Sequence, residues 1–481
     1  MPARYKFTVY SSIFVKTILY MINYRICFFI VFILLLFSCK KEIFSTDENA
    51  VLFTSLTAGD SLQFDTVFTE TTTPVRIFKI FNQNKNAIRV DTIKLYGGDA
   101  SPYKVNINGT AGAAFTDIYL AAGDSLYVFV NLTIPQSELV SSFNVTDSLG
   151  IFFNNKKKHI VFNAVGQNAV HINETTYNSD VVWKKDLPII IKGNITIAKN
   201  AQLTIEPGSR IYFSLHTGIT VNGKLHAYGS YRGADNEIVR TVFTCLRKDT
   251  DYKYLPGSWE GITFGKDAQY SQLEYVTIEN TRTAIVDTMR TAVSNSVQLS
   301  LSACIIQHCV NGIKLAGTNF HMANTLVANC AKAFSVSSGG KYKIAFSTFA
   351  GFGNRYVPHQ EPLMQIADDN FHSLMASLDN SVIYGSLTDE LDVKITNTGS
   401  SMAITNSIYK WSNISSAVVV ENSLQNIDPQ FLLLDDRSMQ YNFAVADNSP
   451  AKGFGKPGTF YQLDVNGKPR SQTAPTIGCY E

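Results

Sequence analysis

The sequence predicts an all-β protein in which an N-terminal β-sandwich is followed by a solenoid of short parallel strands. Three observations support this fold class. Val, Ile, Thr, Phe, Tyr, Asn, Ser and Gly recur in short runs, and helix-forming residues do not dominate. Residues 51–165 alternate apolar and polar side chains between turn residues. The chain beyond Trp183 repeats a shorter pattern of apolar residues and Asn, His or Gly.

The composition excludes two classes of protein. The 481 residues contain 41 Lys and Arg against 39 Asp and Glu, and 12% of them are aromatic. A chain with so little charge and so many aromatic residues is not intrinsically disordered. Nearly balanced charges without a dense basic stripe also argue against nucleic-acid binding. The run Lys156–Lys158 is interpreted as a solvated hairpin tip.

The N-terminus has the pattern of a targeting segment. Ile26–Phe37 is an uninterrupted run of 12 apolar residues, shorter than the roughly 17–25 that a transmembrane helix needs. Arg25 precedes the run, as in the charged region of a signal peptide. Translation therefore starts at Met1 or at Met21, since either start leaves a basic residue before the apolar run.

The end of this run, Ser38-Cys39, resembles the lipoprotein box of bacterial lipoproteins. The resemblance implies that residues 1–38 are removed and that Cys39 is the lipid-attachment residue. Residues 39–50 would then form a tether. The expected location is the outer membrane, reached through the lipid anchor, on either its cell-surface or its periplasmic face. An ordinary signal peptide or a signal anchor is the alternative.

Residues 51–170 are predicted to form the sandwich. Apolar residues alternate with polar ones in runs such as Leu62–Phe64 and Leu126–Leu132, and turn residues such as Asn108-Gly109 and Asn154-Asn155 separate the runs. The segment Asp124–Val128 makes it similar to the immunoglobulin-like modules that precede larger domains in bacterial surface lipoproteins. We expect a spacer role for this module.

Residues 171–481 are predicted to form the solenoid. Equivalent apolar positions recur at steps of 28, 21, 22, 34 and 25 residues, at Ile278, Ile306, Val327, Phe349, Ile383 and Ile408. Such periods indicate coils that bury their apolar sides only by stacking. The longer steps indicate loops inserted between coils.

The same alignment places polar and sulfur-containing residues in ladders. Asn280, His308 and Asn329 align, and so do Cys309 and Cys330. We interpret the first ladder as structural, since Asn in such turns bonds backbone groups that no strand satisfies. Stacked core thiols are preferred for the second, because the cysteine spacing matches no zinc site.

This region resembles the right-handed parallel β-helix proteins of the pectate-lyase-like superfamily. The resemblance rests on Leu203–Gly208, on the Gly-x-Trp-x-Gly-Ile motif at Gly257–Ile262, and on C-terminal motifs such as Ile477–Glu481. It implies a right-handed β-helix with a C-terminal cap from about residue 428. Asp464-x-Asn466 has some character of a calcium loop but lacks further acidic ligands, so no metal or cofactor is expected.

The candidate ligand-binding residues lie in two inserted loops, Arg247–Trp259 and Phe352–Ser373. Aromatic rings there could stack on sugars, and charged groups could bind polar ligands. The candidates are Tyr252, Tyr254, Arg355, His359, Glu361, Asp368 and His372. Trp259 is interpreted as packing at the coil edge. No catalytic residue is assigned, because nucleotide-binding, zinc-protease and esterase motifs are absent from the sequence.

Three functions stay open at this point. The first is a membrane-anchored lipoprotein whose β-helix binds polysaccharide or another cell-surface component. The second is a polysaccharide lyase or glycoside hydrolase acting in a groove of the β-helix. The third is a structural or adhesive surface protein. Fold resemblance does not choose between them.

Overall fold

The computed structural model describes residues 44–57, 59–138, 142–232, 237–249, 251–290, 296–458 and 461–481. The chain divides into two compact units, which meet in sequence between Asn168 and Ala169. The predicted signal segment and Cys39 lie outside the described residues. Both units consist of strands, with two short 3₁₀ helices at Gly98–Ala100 and Tyr252–Tyr254.

The described residues of the first unit form ten strands. They are β1 (Leu52–Thr54), β2 (Ser61–Phe68), β3 (Arg76–Asn82), β4 (Ile88–Leu95), β5 (Tyr103–Ile107), β6 (Thr110–Ala111), β7 (Ala114–Leu120), β8 (Ser125–Leu132), β9 (Phe143–Phe153) and β10 (Lys156–Gln167). Two five-stranded sheets result, in the orders β1-β3-β8-β5-β6 and β2-β10-β9-β4-β7.

The apolar alternation of these strands builds one core from both sheets. Along β3, for example, Phe78 and Ile80 are buried, whereas Ile77, directly before Phe78, is 56% exposed. Phe78 belongs to the same cluster of buried side chains as Phe162 of the other sheet. The turn between β9 and β10 is set by Asn154 and Asn155, both with positive φ, as a tight two-residue hairpin requires. Lys156–Lys158 begin strand β10 directly after this turn.

In the second unit, 32 strands are formed by the part of the chain that the structure describes. They are β11 (Val170–Ile172), β12 (Thr175–Tyr177), β13 (Val181–Trp183), β14 (Ile189–Ile191), β15 (Ile195–Ile197), β16 (Gln202–Ile205), β17 (Arg210–Phe213), β18 (Gly218–Val221), β19 (Lys224–Tyr228), β20 (Ser230–Arg232), β21 (Glu237–Val239), β22 (Thr241–Cys245), β23 (Gly261–Phe264), β24 (Ser271–Glu274), β25 (Val276–Glu279), β26 (Thr283–Asp287), β27 (Leu299–Ser302), β28 (Ile305–Leu315), β29 (Phe320–Ala323), β30 (Leu326–Val336), β31 (Gly340–Ala345), β32 (Thr348–Gly351), β33 (Met364–Ala367), β34 (Leu374–Asp379), β35 (Val382–Gly385), β36 (Leu391–Lys394), β37 (Ser401–Thr405), β38 (Ile408–Tyr409), β39 (Val418–Glu421), β40 (Leu424–Gln425), β41 (Phe431–Asp435) and β42 (Gln440–Val445).

Most of these strands stack in three parallel series, a β-helix-like arrangement. Sheet A contains β11, β14, β17, β22, β25, β28, β30, β32, β35, β38 and β40, and sheet B contains β12, β15, β18, β23, β26, β28, β30, β33 and β36. Sheet C contains β13, β16, β19, β24, β27, β29, β31, β34, β37 and β39. The long strands β28 and β30 run through the corner between sheets A and B.

The interior ladder predicted from the sequence is confirmed for five of its six members. Ile278, Ile306, Val327, Phe349 and Ile383 pair in register along sheet A and are buried. The sixth assignment is wrong, because Ile383 pairs with Tyr409, whereas Ile408 pairs with Val382. Side chains alternate between the two faces of a strand, so this shift of one residue places Ile408 on the outer face.

The corners between sheets need left-handed backbone. Asn280, His308 and Asn329 have φ of 66°, 54° and 52° and form the predicted ladder at the corner between sheets A and B. A second ladder of positive φ leads from sheet C to sheet A, at Tyr275, Ala303, Asn324, Phe346, Asn380, Asn406 and Asn422. Asn adopts this conformation at lower cost than most residues, which accounts for its recurrence.

Hydroxyl groups connect consecutive coils immediately after this second ladder. The Ser381 hydroxyl accepts the N–H of Ser347 at 3.2 Å and donates to the carbonyl of Asp379 at 2.9 Å. The N–H of Ser381 in turn donates to the Ser407 hydroxyl at 3.0 Å. Thr325 occupies the equivalent position two coils before Ser381, where its hydroxyl accepts the N–H of Cys304. The hydroxyl groups thereby accept the buried backbone N–H groups of Cys304, Ser347 and Ser381, which neither sheet pairs.

The C-terminal segment lies along the outer face of sheet A. Its side chains Phe443, Val465 and Cys479 pack on Leu326 and Ala328. Further along the sheet, Ala451 and Ile477 pack on Val382 and Ile408. These contacts extend over several coils, beyond the last coil that we expected the segment to cap.

We predict that Ser381→Ala lowers the free energy of unfolding by about 1–3 kcal/mol, because it leaves the buried N–H of Ser347 without its hydroxyl acceptor. Ser381→Thr keeps the hydroxyl, as Thr325 does, and should lose less than about 1 kcal/mol. Denaturant unfolding of the two variants measures the difference. Equal stability of the Ala variant and the original protein would show that the hydroxyl ladder does not stabilise the fold.

Candidate binding surfaces

The seven predicted ligand-binding residues fall into separate places. Tyr252, Tyr254 and Arg355 lie together where the two inserted loops meet, and we call this the loop cluster. Glu361 and His359 lie further along the second loop. Asp368 and His372 follow strand β33, near the turn that leads to sheet C. The structure therefore does not gather all seven into one site.

Cations and rings alternate in the loop cluster. The guanidinium of Arg247 lies 3.5 Å from the ring centroid of Tyr252. Arg355 forms an ion pair with Asp251 at 3.6 Å and so joins the two loops. A hydrogen bond with the same Asp251 carboxylate raises the pKa of Tyr356. The polar groups of the cluster are thus largely engaged with one another.

A buried histidine lies beneath the cluster. The His308 ring packs edge-on against Tyr254 with centroids 5.5 Å apart, and only 7% of the residue is exposed. Burial lowers the pKa of His308 to about 4, an effect that the nearby Glu279 carboxylate partly opposes. Lys248 forms an ion pair with Glu279 at 2.7 Å. His308 is therefore neutral at pH 7, which agrees with the predicted structural role.

Two other candidate residues of the second loop, His359 and Glu361, pair with charged side chains of the protein. His359 Nε2 lies 2.8 Å from Glu390 Oε2, and both side chains are inaccessible to solvent, at 1% and 0% exposure. The Glu390 carboxylate also accepts the N–H groups of Leu363 and Leu387. His359 thus lies in the interior of the loop, out of contact with any external ligand. Glu361 is exposed and pairs with Lys332 at 2.8 Å.

From the sequence we expected Trp259 to pack at the coil edge, and the structure places its side chain in the core of the second unit. Its ring stacks on Phe213 with centroids 3.9 Å apart, and its indole N–H donates to the carbonyl of Glu279 at 2.8 Å. The residue is fully buried. It stabilises the coil and is not available to stack on a sugar.

Asp368 and Asp369 each hold a turn. The Asp368 carboxylate accepts the N–H groups of Thr396 and Asn397 at 2.8–3.1 Å. Asp369 accepts a hydrogen bond from Ser338 at 2.7 Å and pairs with His372 at 2.8 Å. These bonds, that from Ser338 foremost, hold the pKa of Asp369 well below its usual range. Neither carboxylate is free to act as a proton donor at neutral pH.

The structure reveals a further surface on the outer side of sheet C. Two adjoining depressions of about 510 and 460 Å³ share Asn319, Lys341 and Met375, and together we call them the sheet C groove. Their linings include side chains from several coils, among them His321, Lys341, Lys343, Phe371, His372 and Met375. No Asp or Glu is among the described residues that line it.

The groove combines cations with exposed apolar groups. Lys341 stacks on Met375, which is 49% exposed, and Phe371 nearby is 87% exposed. Lys343 stands beside His321 on the next strand of sheet C. His321 Nε2 lies 2.7 Å from the Tyr461 hydroxyl, and burial together with Lys343 lowers the pKa of this histidine. The groove suits a ligand that presents both negative groups and apolar ring faces.

Of this groove, the sequence analysis identified only His372. The alternation Lys341-Tyr342-Lys343 within a strand was the available signal, because Tyr342 points inward and is 1% exposed, so its neighbours point outward. The described residues contain no group of three or more His, Cys, Asp or Glu arranged to hold a metal ion. Asp464 instead accepts backbone N–H groups of its own turn, from Asn466 and Lys468 at 2.8 Å. In the described part of the chain, no helix has the length and hydrophobicity needed to cross a bilayer.

No known protein family matches the chain, and no curated protein sequence is similar to it. Among solved structures, the catalytic domain of a GH87 α-1,3-glucanase in complex with nigerose is similar over 79% of this chain and 89% of its own, at 11% identity and a TM-score of 0.19.

Two shorter similarities accompany it. A family 123 glycoside hydrolase from Clostridium perfringens matches 24% of this chain at 8% identity and a TM-score of 0.18, over 25% of its own length. A PapD-like domain of human CEP192 matches 27% of this chain and 92% of its own, at 12% identity and a TM-score of 0.16. Scores this low carry no argument about function.

We predict that His308→Asn reduces the loss of stability on acidification. The unfolded chain protonates this histidine near pH 6.5 and the folded protein only near pH 4, so stability falls as the pH drops through this interval. His308 accounts for about 3 kcal/mol of that loss. Asn fits the site, since Asn280 and Asn329 flank it in the ladder.

Denaturant unfolding between pH 7 and pH 4 measures this effect. The matched control is His216→Asn, since His216 also has positive φ but its side chain is 65% exposed. The control variant should change the pH dependence of stability far less than the His308 variant does. The same pH dependence in the His308 variant as in the original protein would contradict the assignment.

Proposed function

We propose that the protein is a membrane-anchored lipoprotein that binds a glycan in the sheet C groove. The supporting observation is the composition of that groove, in which the cationic side chains Lys341 and Lys343 lie beside Met375 and Phe371, which are 49% and 87% exposed. Sugar rings offer apolar faces for contacts with Phe and Met, and acidic substituents pair with ammonium groups. This combination of cationic and apolar side chains is the reason for proposing a glycan as the ligand.

The anchor is proposed from the sequence. The apolar run before Cys39 supports export and lipidation, and strand β1 begins at Leu52, after a tether of about 12 residues. On the outer membrane, the first unit would act as an immunoglobulin-like sandwich spacer, and the second as a right-handed parallel β-helix. The shared core of the two five-stranded sheets supports the sandwich, and the three parallel sheets support the β-helix.

Binding is preferred over hydrolysis because of the carboxylates. A glycoside hydrolase needs two carboxyl groups facing one groove. Asp369, next to the sheet C groove, is bonded to Ser338 and His372, and Glu390 is buried against His359. The carboxylates of Asp369 and Glu390 thus bond to neighbouring side chains of the protein and stabilise the loops.

A lyase is the second candidate, and one contact favours it. The His321 ring lies 2.7 Å from the Tyr461 hydroxyl beside the cationic groove, and its lowered pKa leaves it neutral and able to accept a proton. Such a pair has the proton-accepting and proton-donating groups that β-elimination uses. Appearance of unsaturated sugar products during the binding experiment below would establish this candidate in place of binding alone.

Binding is tested with the full chain in detergent on a panel of neutral and acidic oligosaccharides, with product detection. We predict that Lys343→Ala and Phe371→Ala each weaken binding of the recognised glycan about tenfold, because each removes a groove contact. Lys314→Ala is the matched control, since Lys314 is an exposed lysine of strand β28 on sheet B. Equal weakening by the control, or no binding to any glycan, would refute the proposal.

The anchor is tested separately. Cys39→Ala should move the protein from the membrane fraction to the soluble fraction, because the thioether-linked lipid can no longer form. Fractionation of cells expressing either form, followed by immunodetection, measures the change. Cys245→Ala, which alters a buried thiol of strand β22, is the control and should stay with the membrane. Unchanged retention of the Cys39 variant would exclude the lipid anchor.

A further inference from the structure

Two buried cysteines occupy equivalent positions on consecutive coils. Cys309 of β28 and Cys330 of β30 are paired in register, one residue after the left-handed residues His308 and Asn329. Their exposures are 0% and 1%, and both are free thiols. The ladder predicted from the sequence is therefore present, and it brings two reactive groups together at a corner of the solenoid.

The thiols leave the backbone in the same direction. Cys309 Sγ donates to the carbonyl of Gln307 at 3.2 Å, and Cys330 Sγ donates to that of Ala328 at 3.4 Å, two residues back in each case. Neighbouring strands lie about 4.8 Å apart. This separation falls within the range of roughly 4.4–6.8 Å between the Cα atoms of disulfide-bonded cysteines.

The other described cysteines lack this arrangement. Cys304 donates its N–H to Thr325, the residue that takes its place on the next coil. Cys245 pairs in register with Phe213. Cys479 belongs to the C-terminal segment and donates its N–H to the hydroxyl of Thr348. Among the five described cysteines, only Cys309 and Cys330 are register partners.

We propose that Cys309 and Cys330 form a disulfide that links two consecutive coils of the solenoid. The oxidant is a small-molecule or protein disulfide. The thiolate of one cysteine attacks it, forming a mixed disulfide and releasing one thiol. The thiolate of the second cysteine then attacks the sulfur of the first cysteine in the mixed disulfide and displaces the remaining half of the oxidant as a second thiol. Overall, two protein thiols are oxidised to one disulfide and one external disulfide is reduced to two thiols.

Burial determines when this reaction occurs. Burial raises the pKa of the Cys330 thiol well above its ordinary value, and neither sulfur is accessible in the folded protein. The reaction therefore takes place before the two coils close on each other. Once formed, the bond is shielded from reductants in solution, and it closes a loop of about one coil. Its formation in the cell rests on the proposed export, whereas the chemistry does not.

The test is peptide mapping of the full chain, unfolded and then refolded with mixed reduced and oxidised glutathione. Remaining thiols are alkylated under denaturing conditions. Trypsin cleaves after Arg290, Lys314 and Lys332, so the bond joins two peptides, residues 291–314 and 315–332. We expect this linked pair, together with a midpoint of thermal unfolding several degrees above that of the reduced protein.

Two variants make the test specific. Cys330→Ser should abolish both the linked peptides and the redox-dependent shift in unfolding temperature. Cys304→Ser removes the second cysteine of peptide 291–314 and suits its site, since Ser or Thr follows at this position on later coils. It should retain the link. Alkylated Cys309 and Cys330 in the refolded Cys304→Ser protein would overturn the proposal.

The same mapping of protein isolated from exporting cells, alkylated at lysis, separates the two proposals. A link in the refolded sample but not in the cellular sample would place the folded chain in a reducing compartment and so contradict export. A link in neither sample contradicts the disulfide itself. Results of the Cys39→Ala fractionation are unaffected by either outcome.

Discussion

The structure depends on the requirement that every coil of the second unit stacks on the next one at strand spacing, including at the corners. Within the strands, main-chain hydrogen bonds between parallel neighbours meet this requirement. At the corners the chain leaves the extended conformation, and the left-handed residues and the hydroxyl ladder replace the missing pairing. Each corner must therefore repeat the conformation of the one before it. Inserted residues have room only on the outside, where the loop cluster lies.

The outer faces of the solenoid differ in consequence. The C-terminal segment packs apolar side chains along the outer face of sheet A. That part of the face is therefore covered and has a structural role. The groove on sheet C places Lys341 in register with Met375, and His321 in register with Lys343, on neighbouring coils. Because stacking fixes the spacing of such side chains, a surface ladder presents repeated contacts to an extended ligand. This geometry makes the rigid sheet face a better candidate than the loop cluster, whose charges pair with one another.

Much of the fold is readable from the sequence, because each coil repeats the same requirement. Apolar residues at Ile278, Ile306 and Val327 and asparagines at the corners follow directly from stacking. The error at Ile408 arises since two adjacent apolar residues, Ile408 and Tyr409, both fit the pattern, and only the covering C-terminal segment explains why the outer one is apolar.

The binding surface is harder to predict for a related reason. His321, Lys343 and Phe371 are separated by more than 20 residues each and meet only through the register of the coils. Charged residues in the loops are natural candidates for ligand binding. In the structure, however, residues distant in sequence pair with them, as Glu390 pairs with His359. The spacing of residues in the sequence does not show which carboxylates already have a partner within the protein.

Hydrogen–deuterium exchange of the full chain with and without the recognised oligosaccharide tests the central claim most directly. The account predicts that the glycan slows exchange in strands β31 and β34, which carry Lys341, Lys343 and Met375, and leaves the loop around Tyr252–Tyr254 unchanged. Slower exchange confined to that loop and to residues 352–361 would contradict it and would place the ligand on the loop cluster.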